Sequence, residues 1–452
     1  MARGVAPDVK NAAMKKLFTD PHVNVMDRMD IYLDDYSLPD PLPLAMLHTI
    51  LLDPNYGGGN IVVNGGAGYD LLRIQAMASN GDLVLGAMKL AHESPTGYLT
   101  VNFNDKLDRI EMTDTAAQTT LRSTADVDWK STDFSLQASG TVDVRGATFV
   151  AADALLSISA NRFVGDFNTE VASLSLEARD TSGATSNLVI NEADSLSLVA
   201  DRWSRGGLST NKGLIQINLA ASESLLSLES GWLSTGAGGG DIRVVADDID
   251  FDAGRDRVAG SGLLVISAMS NGQEYRLGGA AQSLFGRDQS VAGSTGFMAL
   301  SMADFDALAD GFQEVRIGDT RGNAFMIVGD IKNAAVGSFD FQAKLTDALR
   351  LVADEIVIAG NVQVAGGITT QSRLLQVRAL NFQAPLGAPD SGLSGQRLDL
   401  NVTEQVDLSG WLIAQERIDL DVTASTGLNA YVKVGSDITS FYASTSGSMQ
   451  VL

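Results

Sequence analysis

The sequence predicts an all-β protein: a β-solenoid, or parallel β-helix, with imperfect coils, preceded by a small helical N-terminal segment. Three observations carry that prediction. Short segments of alternating apolar and polar residues, about five residues each, recur from residue 56 to the end. Glycine-rich turn chemistry separates them, and the chain has 46 Gly against 9 Pro. Similar strands recur in the C-terminal third at about 20–26 residues, a coil-sized period. Leu349, Leu375, Leu398 and Ile418 illustrate the spacing.

The first region is 1–55. Six of the nine prolines lie at or before Pro54, so its composition differs from that of residues 56–452. Residues 7–18 read as a helix, with Pro7 at its start and Asp8 in its first turn. Residues 26–36 are a second helical candidate. Residues 37–52 read as a Pro-rich connector and then a short apolar helix. A segment this small holds no large core by itself.

The second region, 56–452, carries the strands. LTVNF (99–103), LSISA (156–160), LSLEA (174–178), LSLVA (196–200), LRLVA (349–353) and IDLDV (418–422) are examples. Leu, Ile and Val take alternate positions, and Ser, Asp, Asn, Gln or Glu often fill the others. A single coil cannot bury its inward side chains. Stacked coils form a continuous apolar column, and the backbone pairs with the coils on either side. A β-sandwich array is the structural rival, but such arrays have longer strands and more regular domain lengths.

Residues 268–313 break the pattern. After a stretch rich in Gly and Ser comes SMADFDALADGFQ (301–313), which reads as a capped helix. Ser301 is its N-cap, Asp304 its N3 residue and Gly311 its end. This is an excursion from the solenoid, acting as an edge cover or as a functional loop.

Composition narrows the chemistry. There is no Cys, so disulfides, thiolate metal sites and Cys nucleophiles are excluded. Of the three histidines, His22, His48 and His92, only His92 lies beyond residue 50. It stands alone in LAHES and reads as a surface or turn residue. The net charge of -23 disfavours nucleic acid as a partner, and it suits solubility or divalent cations. No apolar run of about 18 residues marks a membrane span. Met1–Phe18 lacks the apolar core of a Sec signal peptide, so an exported chain would use a C-terminal signal or one outside this sequence.

Two groups of residues are candidate cation sites. Gly65 to Arg73 fits the calcium-binding nonapeptide G-G-x-G-x-D-x-U-x, with Gly66, Gly68 and Asp70 as the candidate calcium site and Leu72 pointing inward. The preceding nine residues align only at Gly57, Gly59 and Val63, with Ile61 where the Asp should stand. The alternative is a glycine-rich entry turn. The second group is Asp248, Asp250 and Asp252, which alternate with Ile249 and Phe251 and so share one face of a strand. They suit a cation or acid–base work on a glycoside. The simpler reading, which we favour, turns Ile249 and Phe251 to the core and the carboxylates to water. No Gly-His-Gly or Arg-Ile-Lys element of polysaccharide-processing β-helices occurs. Trp129, Trp203, Trp232 and Trp411 are irregularly spaced and read as individual packing choices.

Two resemblances rest on these residues. GGGNIVVNGGAGYDLL, the repeated L-x-L-x-A strands and SMADFDALADGFQEVRIGDTRGNAFMIVGDI make about 57–452 resemble giant bacterial surface proteins. These are the RTX-like and filamentous-haemagglutinin-like adhesins. The resemblance implies an extracellular or cell-surface, calcium-loaded scaffold, exported by a type I or related system. Residues 4–50, GVAPDVKNAAMKKLFTDPHVNVMDRMDIYLDDYSLPDPLP among them, are similar to a short uncharacterised bacterial family associated with formate dehydrogenase maturation. The expected function is a non-catalytic structural or adhesive stalk segment of a larger parent chain. Its expected partners are a host-surface, glycan or matrix ligand. A β-helical polysaccharide lyase or hydrolase is the alternative, and a partner-binding role of residues 1–50 is a further one.

Overall fold

The computed structural model describes residues 45–52, 59–64, 69–76, 82–94, 97–104, 107–114, 120–123, 127–179, 185–201, 206–278, 296–331, 345–377, 391–408, 410–423 and 441–445. The helical candidates at 7–18 and 26–36 lie outside them.

The described residues form a solenoid of parallel strands with three faces per coil. On the first face, Leu188–Glu192 aligns with Ile215–Leu219, then with Ile242–Val245 and Leu263–Ser267, always in parallel. Glu314–Gly318 and Ala348–Val352 continue the row. The second face carries Leu196–Leu198, Leu225–Leu228 and Asp248–Asp250. The third carries Gly207–Thr210, Trp232–Thr235 and Val258–Ala259.

The alternation seen in the sequence turns one residue in two toward the axis. Along the first face this produces a single aliphatic column: Leu188, Ile215, Ile242, Leu264, Val315, Leu349, Ile368, Leu398 and Ile418, each in register with the next. All nine are buried to within 1%. Each such side chain contributes about 1.5–3 kcal/mol relative to exposure, and only stacking provides that burial.

The column corrects one expectation. Leu375 is not the coil partner of Leu349; Ile368 is. Leu375 belongs to the second face, between Ile356 and Val406. The coil-sized spacing of Leu349, Leu375, Leu398 and Ile418 thus mixes positions from two faces.

The entry to the solenoid differs from the expected short helix. Ala45–Leu52 is a strand, paired with Tyr69–Ala76. A short apolar run has no period that separates strand from helix, and here the open edge of Tyr69–Ala76 decides. Next to it stands an antiparallel meander of Asp82–Gly86, Lys89–Ser94 and Gly97–Phe103. Its hairpin turn places Met88 at φ 48°. Asp82–Gly86 continues in parallel to Thr120–Ser123, Thr141–Asp143 and Arg162–Val164. His92 therefore sits in a strand, in register with Leu83 and Leu99, and not in a turn.

The excursion is also more integral than an edge cover. Glu274–Leu277 pairs on one side with Phe325–Val328 and on the other with Phe297–Leu300. The later strand occupies the earlier position, next to Asp248. The chain steps back by one layer and fills a place in the second face. Helix α1 (Met302–Ala307) comes next, with the expected capping box of Ser301 and Asp304. It ends at Leu308, before Gly311, because Leu308 is extended and bridges to Val258 of the third face. Gly311, at φ 128°, makes the turn beyond, and its N–H donates to the Asp347 carboxylate.

Candidate functional site

The Asp-rich strand does as the simpler reading expects. Ile249 and Phe251 are buried, and Asp250 and Asp252 are exposed. Asp248, on the same outward face, is half-buried instead, because the strand Phe297–Leu300 lies against it. Its Oδ1 accepts from the backbone N–H of Ile249 at 2.9 Å and of Ala299 at 3.0 Å. It thus ties the second face to the inserted strand Phe297–Leu300. Burial pushes its carboxyl up to about 6, against the pull of those two bonds. Asp250 is raised as well, by its partial burial first and then by Asp252 and Glu229.

The neighbouring carboxylates have structural duties too. Asp304 accepts from Phe251 N at 2.7 Å and from Ser301 N at 2.6 Å, so one side chain caps α1 and holds the Asp-rich strand. Asp247 accepts from Glu223 N at 2.9 Å, Ser270 N at 2.7 Å and the Ser270 hydroxyl at 2.5 Å. These are clamps between coils. Among the described residues, no group of three or more His, Asp or Glu side chains is arranged to hold a metal.

At the other candidate, Gly66 and Gly68 lie outside the described residues. Asp70 is 3% exposed and has the parity of the inward Leu72 and Ile74. Its N–H donates to Asp108 Oδ2 at 2.6 Å, and its carbonyl accepts from Asp108 N at 3.1 Å. The strand before it, Gly59–Val63, pairs with Gly97–Phe103. Tyr69–Ala76 pairs with Arg109–Asp114 instead. The full match at Gly65–Arg73 and the partial match before it thus lead into strands that pair with different neighbours.

Among the described residues, a group of mixed charge centres on Arg109. Its Nη2 lies 2.7 Å from Asp201 and 2.8 Å from the Ser135 hydroxyl. Glu111 is 3.4 Å from its Nε and Asp133 is 3.7 Å from its Nη1. Arg73 reaches the same Glu111 at 3.0 Å. Burial raises the Asp133 carboxyl, a Leu155 backbone bond and then Arg109 lower it, and other carboxylates add to the rise. Tyr69 stands beside the group, 53% exposed. Arginine beside carboxylates is the kind of set a polysaccharide-acting β-helix needs. Here the guanidinium joins two neighbouring strands, Arg109–Asp114 and Asp133–Gln137, to Asp201, which arrives from a later coil.

Sequence reasoning missed this group because its members are far apart in the chain, Arg109 and Asp201 by 92 residues. It also missed an asparagine ladder. Asn191 Nδ2 donates to Asn168 Oδ1 at 3.0 Å, and Asn218 Nδ2 donates to Asn191 Oδ1 at 2.9 Å. A signal existed: LVINE (188–192) and IQINL (215–219) carry Ile-Asn at the same strand position. Two tryptophans fit the packing reading. Trp129 is buried against Phe103 and Phe134, with its indole N–H on Gly86 O at 2.8 Å. Trp232 carries the Arg257 guanidinium 4.5 Å above its ring. The side chains of Trp203 and Trp411 lie outside the described residues.

Comparison with known proteins reaches one short segment. Residues 1–42 match a family described as a protein of unknown function (DUF3306), overlapping the segment 4–50 that is similar to the uncharacterised bacterial family. No curated protein and no solved structure matches the chain.

Proposed function

We propose that the solenoid is a non-catalytic structural or adhesive stalk segment of a bacterial surface or secreted protein. The observation that supports this reading is the unbroken column from Leu188 to Ile418. An architecture in which each coil is needed chiefly by its neighbours supplies length and exterior surface. The exterior suits that role. Paired charges two residues apart on one strand face recur as Asp241–Arg243, Glu314–Arg316 and Arg397–Asp399. Exposed pairs of this kind contribute little to stability, so the surface is free to vary for a host-surface, glycan or matrix ligand. Calcium enters this proposal only through the nonapeptide at Asp70.

The test is to incubate the full chain with polyuronates and other acidic polysaccharides, following both cleavage and binding, with and without millimolar calcium. Binding to a glycan or matrix surface without turnover is the expected result. Turnover abolished by one substitution, such as Asp133→Asn or Glu111→Gln, would replace the stalk by a polysaccharide-acting enzyme.

A further inference from the structure

One buried carboxyl has no part in the stalk reading. Glu192 ends the strand Leu188–Glu192, whose alternate residues Leu188 and Ile190 face the column. Glu192 has the same parity and is 1% exposed. Its register neighbours are Thr169 in the preceding coil and Leu219 in the next, both buried. Oε1 accepts from Ala193 N at 2.9 Å and from Val171 N at 3.3 Å. Oε2 is buried without a well-formed hydrogen bond, the Thr169 hydroxyl standing near it but out of good geometry.

No compensating cation stands on the described strands around it. Phe167–Ala178, Leu188–Glu192, Leu196–Leu198 and Ile215–Leu219 contain no Lys, Arg or His. Their other ionisable residues are the acidic Glu170 and Glu177, and Asp194 stands in the connection after Glu192. A carboxylate is tolerated in such a place only when it is paired or neutral.

We propose that the coil closed by Glu192 is a pH-dependent weak point of the stack, shut while Glu192 is protonated and opening locally once it ionises. Burial pushes the carboxyl up to about 7, against the pull of the Thr169 hydroxyl and of its backbone bonds, and Asp194 adds to the rise. The folded value thus lies above the ordinary one. The coil is tightest below about pH 4.5, loosens as pH rises through about 7, and changes no further above that. Because each coil touches only its neighbours, opening here leaves distant coils closed.

Native-state hydrogen exchange of the full chain between pH 5 and pH 8.5, corrected for intrinsic exchange rates, tests this. Protection of peptides covering 167–178 and 188–198 should fall by up to about 75-fold over this range, about 40-fold of it by pH 7, and then level off. Peptides covering 348–352 and 392–408 serve as controls and should not change. Glu192→Gln should remove the pH response at 167–198. A flat profile at those peptides, or an unchanged response in Glu192→Gln, would overturn the proposal. The wild-type profile decides even if the variant fails to fold.

Discussion

At the scale of the residue, position relative to the coil axis decides what a carboxylate does. Asp250 and Asp252 face water. Asp248, two residues earlier on the same face, is covered because Phe297–Leu300 lies against it and Ala299 N–H points at its Oδ1. Its carboxyl sits near 6, above the ordinary value, so its charged form opposes folding. Its contribution is most favourable below about pH 4 and is lost as pH rises through 6. Asp248→Asn keeps an oxygen acceptor and removes the charge. It should stabilise the protein at pH 7 by up to about 3 kcal/mol and flatten denaturation midpoints between pH 4 and pH 7. Urea titrations of both proteins across that range check the sign.

At the scale of the element, the excursion shows how a polar side chain can hold a strand. Ser301 makes an ordinary cap, and its loss to Ala should cost about 1 kcal/mol. Asp304→Ala should cost more, about 2–4 kcal/mol, because it also leaves the buried Phe251 N–H without its acceptor. Equilibrium unfolding of the two variants at one pH should rank them in that order. Equal costs would mean that Asp304 serves α1 alone.

At the scale of the whole molecule, stability is a sum over coils and the interfaces between them. Ile215 stacks on Leu188 and under Ile242 through equivalent parallel registers. Deleting residues 215–241 removes one full circuit and brings Ile242 to the place of Ile215. The shortened chain should keep a β-rich circular dichroism spectrum and a cooperative melt. Deleting 215–228 instead removes part of a circuit, brings unlike faces into register and should unfold the neighbouring coils.

The inward alternation of Leu, Ile and Val, the turn glycines and the capping box of α1 were legible in the sequence, because period-2 patterning and cap chemistry are local. The fates of Ile249, Phe251 and Leu72 came from the same local rule. The sequence by itself therefore determined that strands form, which side chains face inward and that they must stack. Only the tertiary structure decided which strand stacks on which. That choice made Ile368 the partner of Leu349, made Ala45–Leu52 a strand, and slid Phe297–Leu300 behind Glu274–Leu277. It also brought Asp201 to Arg109 and enclosed Glu192 among acidic and apolar neighbours. The physical reason is that connections of unequal length carry little register information, whereas pairing and burial are settled between residues far apart in the chain.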